Sequence, residues 1–340
     1  MSAVTTASAP ASRAKLSGLL LLATVVSALL YYKWGASLRV LSGVHETGKL
    51  PVSPGAILQG GVLPTTLAYF RKIWPALTYG ILVGAAVRTA IPASTVRRWF
   101  GGRGAASTFV GALAGAPLML CSCCITPVFS GLYRRGARLG PSLAVMLASP
   151  SFNVGALVLT FALLPARIGV ARIIAAAVIV LGLSAAIGST MDAVPAPAST
   201  ECAVEDEPEG AQHLLIRFAR NVGYLAAITV PLIAAGVLLS GLVLPHVSAL
   251  AGVSLLGAVA LSALIGTLAA LPTFFEIPIA LMLLSLGAPT AVIVAFVVAG
   301  PAVNLPSLLV LGREVRPRVA LALGAGVWLV ATATGLATTI

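Results

Sequence analysis

The chain has 340 residues, 59% of them hydrophobic and 9% charged, with a mean hydropathy of +1.05. This excludes a soluble globular protein: several apolar runs reach the roughly 20 residues that cross a bilayer core of about 30 Å, and being long and non-alternating they describe helices rather than a barrel. The net charge of +12 lies in short loops between those runs, as the positive-inside bias places it, so it reports topology and excludes nucleic acid as a partner.

Residues 1–14 are small and polar. Arg13 and Lys15 precede an apolar run, 16–32, with the layout of a secretory leader. Tyr31, Tyr32, Lys33 and Trp34 follow it directly, without a small-residue cleavage site, so a retained first transmembrane helix with interfacial aromatics is expected. A polar loop is expected at 33–54 and a mildly amphipathic surface segment at 55–72. Residues 73–91 are long enough to span, and Pro92, Arg97, Arg98 and Arg103 mark a loop.

The segment 105–133 contains Cys121, Cys123 and Cys124, closed by Pro127. A loop with Arg134, Arg135 and Arg138 follows. Residues 139–164 span with an interruption at 149–153, and 168–190 span again. The stretch 191–213 holds six of the nine acidic residues and reads as a disordered linker. Beyond it, 222–244 spans, 250–286 is interrupted around Leu271 to Pro278, 289–311 is interrupted around Pro301, and 319–338 is the last span.

The two interrupted regions match at an offset of 151 residues: Pro127 with Pro278, Gly136 with Gly287, Pro150 with Pro301 and Asn153 with Asn304. Prolines remove a backbone donor and break helices, so Pro127, Pro150, Pro278 and Pro301 are expected at helix breaks. The expected architecture is all-α, with about eight transmembrane helices and two internal repeats. An N-terminal tail, the first transmembrane helix and a polar loop cover 1–72, the first repeat 73–190, an acidic linker 191–221 and the second repeat 222–340. Repeats with interrupted helices in corresponding positions are the pattern of secondary transporters, with the substrate site at the midplane. If the cysteine segment is a re-entrant hairpin, the arginine-rich loops all face the cytoplasm and the repeats are inverted; if it crosses once, Arg134, Arg135 and Arg138 fall outside. The inverted arrangement is expected, in the inner cell membrane. It leaves Lys33, Arg39, Lys49, Arg71 and Lys72 on the outer side without explanation.

Three cysteines within four residues beside a helix break fit poorly with inert buried packing. Adjacent cysteines also rule out an ordinary disulfide framework. Thiolates select soft centres, so Cys121, Cys123 and Cys124 are expected to bind a soft metal or metalloid substrate. On a regular helix Cys121 and Cys124 share a face; Cys123 joins them only if the backbone unwinds. Glu276 is an acidic residue in the apolar core, and intramembrane carboxylates mark ion pathways or proton relays. Either it couples transport to protons, or it is a protonated acid bonding a carbonyl freed by Pro278. Asn153 and Asn304 either bind substrate or cap a half-helix. Thr126 and Thr273 are weaker candidates for lining the site. Cys202 and the three histidines are read as incidental.

The pattern of Cys121-Ser122-Cys123 before Pro127, then Arg135-Gly136-Ala137 and Ala148-x-Pro150, resembles the permease family that includes ArsP-type organoarsenical efflux permeases and YraQ-like proteins. Many members have glycine where this chain has Cys124. The resemblance implies a multi-span permease and, in the ArsP-type branch, efflux of trivalent organoarsenicals through paired membrane cysteines. No catalytic role and no cofactor is expected. The expected partners are membrane lipids and a small solute, and a homo-oligomer is compatible with the sequence. The alternatives are a membrane thiol-disulfide oxidoreductase using Cys121 and Cys124, and a channel.

Overall fold

The computed structural model describes residues 9–47, 62–102, 104–191, 211–243, 254–271 and 274–339. All regular structure among them is helical. Helix α1 runs Ala9–Thr47 and α2 Val62–Ala90, followed by a short amphipathic α3, Ala93–Phe100. The cysteine segment forms α4, Ala105–Gly115, and α5, Thr126–Arg134. Then come α6, Leu139–Ser151, α7, Val154–Leu163, and α8, Ala166–Met191, which contains a π-helical stretch at Val178–Leu183. In the second half α9 is Ala211–Val243, α10 Leu255–Leu268, α11 Glu276–Ser285, α12 Thr290–Ala302, α13 Leu305–Glu314 and α14 Pro317–Ala337.

Five described helices are long and apolar enough to cross a membrane, and seven if α6 with α7 and α12 with α13 each count as one bent span. About eight spans were expected, and the difference lies in the two interrupted segments. At about 1.5 Å per residue α4 and α11 cover only ~15–17 Å, half of a bilayer core. The bends are nearly equal, 41° at the first pair and 42° at the second. Gly136 and Gly287 both adopt positive φ, 92° and 75°, at the turn leading into each bent pair.

Helices α6 and α12 form the centre. Every residue of α6 is buried, as is nearly all of α12, because other helices cover them on all sides. Leu19, Leu20, Leu38, Trp74, Leu321 and Leu329 are exposed on the periphery, where lipid is the natural solvent for such side chains.

Four sequence expectations need correction. Residues 33–47 are not a loop: α1 continues through them, burying Lys33, Ser37 and Val44 at helical spacing and packing Val40 and Leu41 beside Ala156, Leu159 and Ile277. Residues 62–72 are the first turns of α2 rather than a separate surface element. The arginine-rich loop after Pro92 contains α3, whose Val96 is buried while Arg97 and Arg98 stay outside. Residues 211–221, expected in the acidic linker, are the first turns of α9; the rest of that linker from 192 to 210, with Cys202, and Thr273 with Pro272 lie outside the described residues.

Candidate functional site

The first helix break occupies residues 119–125. After a 3₁₀ turn at Ala116–Leu118, Met119 takes a left-handed conformation, φ 50°, which ends the helical path. A turn closes through Cys124 N to Cys121 O at 3.0 Å and Ile125 N to Cys121 O at 3.1 Å. Helix α5 then starts with Pro127 in its first turn, where a missing N–H costs nothing. Backbone groups freed at this depth need protein partners. Ser149 supplies two of them, accepting from Leu120 N at 2.9 Å and donating to Leu120 O at 3.3 Å. Asn153 Nδ2 donates to Met119 O at 3.3 Å, and Thr126 Oγ1 donates to Cys123 O at 2.7 Å. From the far side, Gly80 and Gly84 of α2 bring their backbone against the Cys124 and Pro127 carbonyls, where a Cβ would collide. This is close small-residue helix packing of the membrane kind.

The break gathers all three thiols. The Sγ atoms of Cys121 and Cys124 are 2.9 Å apart, those of Cys121 and Cys123 3.2 Å, and those of Cys123 and Cys124 3.8 Å. No disulfide joins them, and all three side chains are buried. Unwinding thus brings in Cys123, which a regular helix would have turned away. Among the described residues they form the one cluster of three side chains spaced to hold a metal ion. Lys33 of α1, one of the cations the topology left unexplained, is itself buried.

Cys121 opens onto a cleft between the two halves. Leu120, Cys121, Ser122, Pro150, Asn153 and Ala156 line it from the first half, and Leu271, Glu276, Gly300 and Pro301 from the second. Its free volume is about 20 Å³, and a single water needs roughly 10–15 Å³ by this measure. As it stands the cleft has room for about one water.

Glu276, at the start of α11, forms an ion pair with Arg172 of α8 at 2.9 Å, both side chains almost wholly buried. Arg172 also donates to Thr160 Oγ1 at 2.9 Å. The carboxylate is therefore held by a guanidinium from the other half. Sequence reasoning missed Arg172 because it assigned arginines to loops; the available signal was a lone cation inside the span 168–190, near its start. It also missed Glu314, whose buried carboxylate accepts from Arg134 Nε at 2.8 Å and Ser130 Oγ at 2.9 Å, a second ion pair between the halves.

The two asparagines differ. Asn153 caps α7 through Ala156 N at 3.2 Å and also lines the cleft. Asn304 caps α13 in a capping box with Ser307, and does not line the cleft. Thr126 spends its hydroxyl on the break itself. Pro150 and Pro301 sit in the last turns of α6 and α12, just before the bends, and Pro278 lies in the first turn of α11.

This arrangement, with backbone breaks and ionisable groups meeting between two membrane-embedded halves, agrees with what comparison finds. An ArsP-type family model described as "Predicted permease" matches residues 59–340. The chain belongs to this permease family. Among curated relatives, the permease is 30% identical over 306 residues to UPF0718 protein YraQ of Escherichia coli strain K12, covering 87% of each chain. It is 34% identical over 113 residues to UPF0718 protein MJ0584 of Methanocaldococcus jannaschii, covering 32% of this chain and 31% of that one. No solved structure matches the permease. It is a multi-pass membrane protein, and family membership makes it a membrane transporter.

Proposed function

We propose that this permease is a secondary transporter of the inner cell membrane that exports a small thiophilic solute, such as a trivalent organoarsenical or a soft metal species. The observation that carries this reading is the buried thiol cluster at the wall of the inter-half cleft. Cys121, Cys123 and Cys124 bind the cargo, with Asn153 beside them. Two inverted repeats, related by the 151-residue offset, rock about the cleft to expose it alternately to either side. The Arg172–Glu276 pair bridges the halves and parts when they separate. Protonation of Glu276 at that moment neutralises the carboxylate and couples the movement to the proton gradient.

The test is uptake of methylarsonous acid into inside-out vesicles, with and without a pH gradient. Wild-type protein is expected to accumulate it in a gradient-dependent way. Cys123→Ser and Cys124→Ser should abolish accumulation, and Glu276→Gln should remove the gradient dependence. No accumulation above empty vesicles, with folded protein inserted, would remove this cargo. One observation favours a second reading: Cys121 and Cys124 sulfurs at 2.9 Å are placed for a dithiol–disulfide couple. Reversible loss of two titratable thiols on mild oxidation, without any transport, would support that reading instead.

A further inference from the structure

A dithiol would suffice to hold a soft centre that already carries an organic group, yet this site has a third sulfur. Cys124 is fully buried, and its Sγ lies within 3.8 Å of both other sulfurs. We propose that Cys121, Cys123 and Cys124 act together as a three-sulfur site for a trivalent metalloid bearing no carbon substituent, the class of arsenous and antimonous acids. This rests on the thiol-dependent permease reading above and narrows its cargo.

Geometry is the first argument. For a centre about 2.3 Å from each sulfur, a usual thiolate bond length, the three separations subtend about 80°, 90° and 110°. These angles sum to far less than a full circle, so the centre sits at the apex of a pyramid. A planar three-coordinate cation would need sulfurs about 4.0 Å apart at the same bond length. A tetrahedral zinc would need its sulfurs about 3.8 Å apart at that bond length, and two of the separations here are 2.9 and 3.2 Å. A pyramid of three sulfurs is the shape of a trivalent centre with a lone pair.

Charge is the second. The uncharged trihydroxide reacts with three thiols to form three metalloid–sulfur bonds as three metalloid–oxygen bonds break. Each thiol proton leaves on a departing hydroxide as water, so three waters are released. No electrons change hands and the product is neutral. A monovalent soft cation on the same three thiolates would leave a charge of −2 in the interior, and a divalent one −1, both costly in a low dielectric. A methyl group on the metalloid occupies one of its three valences, so a methylated centre engages only two of the sulfurs.

The test uses full-length protein in detergent micelles, reduced, in a Cys202→Ser background so that only the cluster contributes sulfur. Arsenous acid and methylarsonous acid are the probes. Arsenic X-ray absorption counts sulfur neighbours, and the thermal transition reports folding. Arsenous acid is expected to show three sulfur neighbours and no oxygen. Cys124→Ser should weaken its binding on the order of 100-fold, the loss from removing one linked ligand, and cut its sulfur neighbours to two with one oxygen retained, while methylarsonous acid shows two sulfur neighbours already in the wild-type cluster. Two sulfurs with a retained oxygen on arsenous acid in the wild-type cluster would overturn the inference, whatever Cys124→Ser does to folding. So would three sulfur neighbours retained on arsenous acid in a folded Cys124→Ser. If methylarsonous acid still binds in those cases, the permease reading stands. Failure of both probes to bind folded wild-type protein would defeat both.

Discussion

The break before Pro127 and the break before Pro278 occupy corresponding places in the two halves, and different forces hold them. In the first, Ser149, Asn153 and Thr126 bond the backbone groups that the unwound turn exposes. In the second, Gly300 stands where Ser149 would be, and Glu276 replaces Ile125. The partner of Glu276, Arg172, likewise replaces a buried apolar residue, since Leu323 lies at its offset position. The first break is thus stitched to its own half by neutral hydrogen bonds, which suits a rigid ligand set. The second is tied across to the other half by charge, which suits a contact that must open and close.

The largest effect should come from splitting that ion pair. Arg172→Leu leaves Glu276 buried without its cation, which is expected to cost about 3–5 kcal/mol of stability. Converting each position to the residue at its offset in the other half, Arg172→Leu with Glu276→Ile, should recover most of it, because apolar residues replace a buried pair at little cost. Thermal unfolding in micelles measures both. A single variant as stable as wild type would show that Glu276 carries no charge requiring Arg172.

Ser149 tests the stitching of the first break. Ser149→Ala leaves the buried Leu120 N–H unsatisfied, at about 1–3 kcal/mol. The reciprocal Gly300→Ser should be nearly neutral, since a Cβ there meets Leu271 Cδ1 at 3.5 Å and Glu276 Cβ at 3.9 Å, ordinary contacts. Equal costs at the two positions, read from unfolding by sodium dodecyl sulfate in mixed micelles, would erase the distinction between the breaks.

Much of this was legible before the structure. Apolar run length exposed the spans, and the paired prolines and asparagines marked where the helices bend, because a proline lacks its N–H whatever surrounds it. The thiol cluster was visible as three cysteines beside a break, although the turn that unites them depends on Ser149 and Asn153 from another helix. What stayed hidden was long-range. Arg172 and Glu276 are 104 residues apart, and nothing local announces that one neutralises the other. The second half of α1 was misread because its buried stripe includes Lys33 and Ser37, polar residues that read as loop in the sequence although the fold buries both.

The smallest contrast concerns the two asparagines. Each caps the helix after a bend, so replacing either by alanine should cost about 1 kcal/mol for the lost cap. Asn153 also donates to the Met119 carbonyl at the mouth of the cysteine turn, a bond worth about another 1 kcal/mol. Asn304 has a different second arrangement: its Oδ1 accepts from Ser307 N, Ser307 Oγ accepts from Asn304 N, and its own Nδ2 has no hydrogen-bond partner among the described residues. Asn304→Ala therefore removes one good bond and one buried unsatisfied donor together, which pulls its net cost below that of the cap alone. Asn153→Ala should be the more destabilising by about 1 kcal/mol, and it alone should alter the thiol site, seen as a changed rate of Cys121 modification by a small membrane-permeant reagent. Equal destabilisation with unchanged thiol reactivity would mean that the cysteine turn holds its shape without Asn153, and that both asparagines serve only as caps.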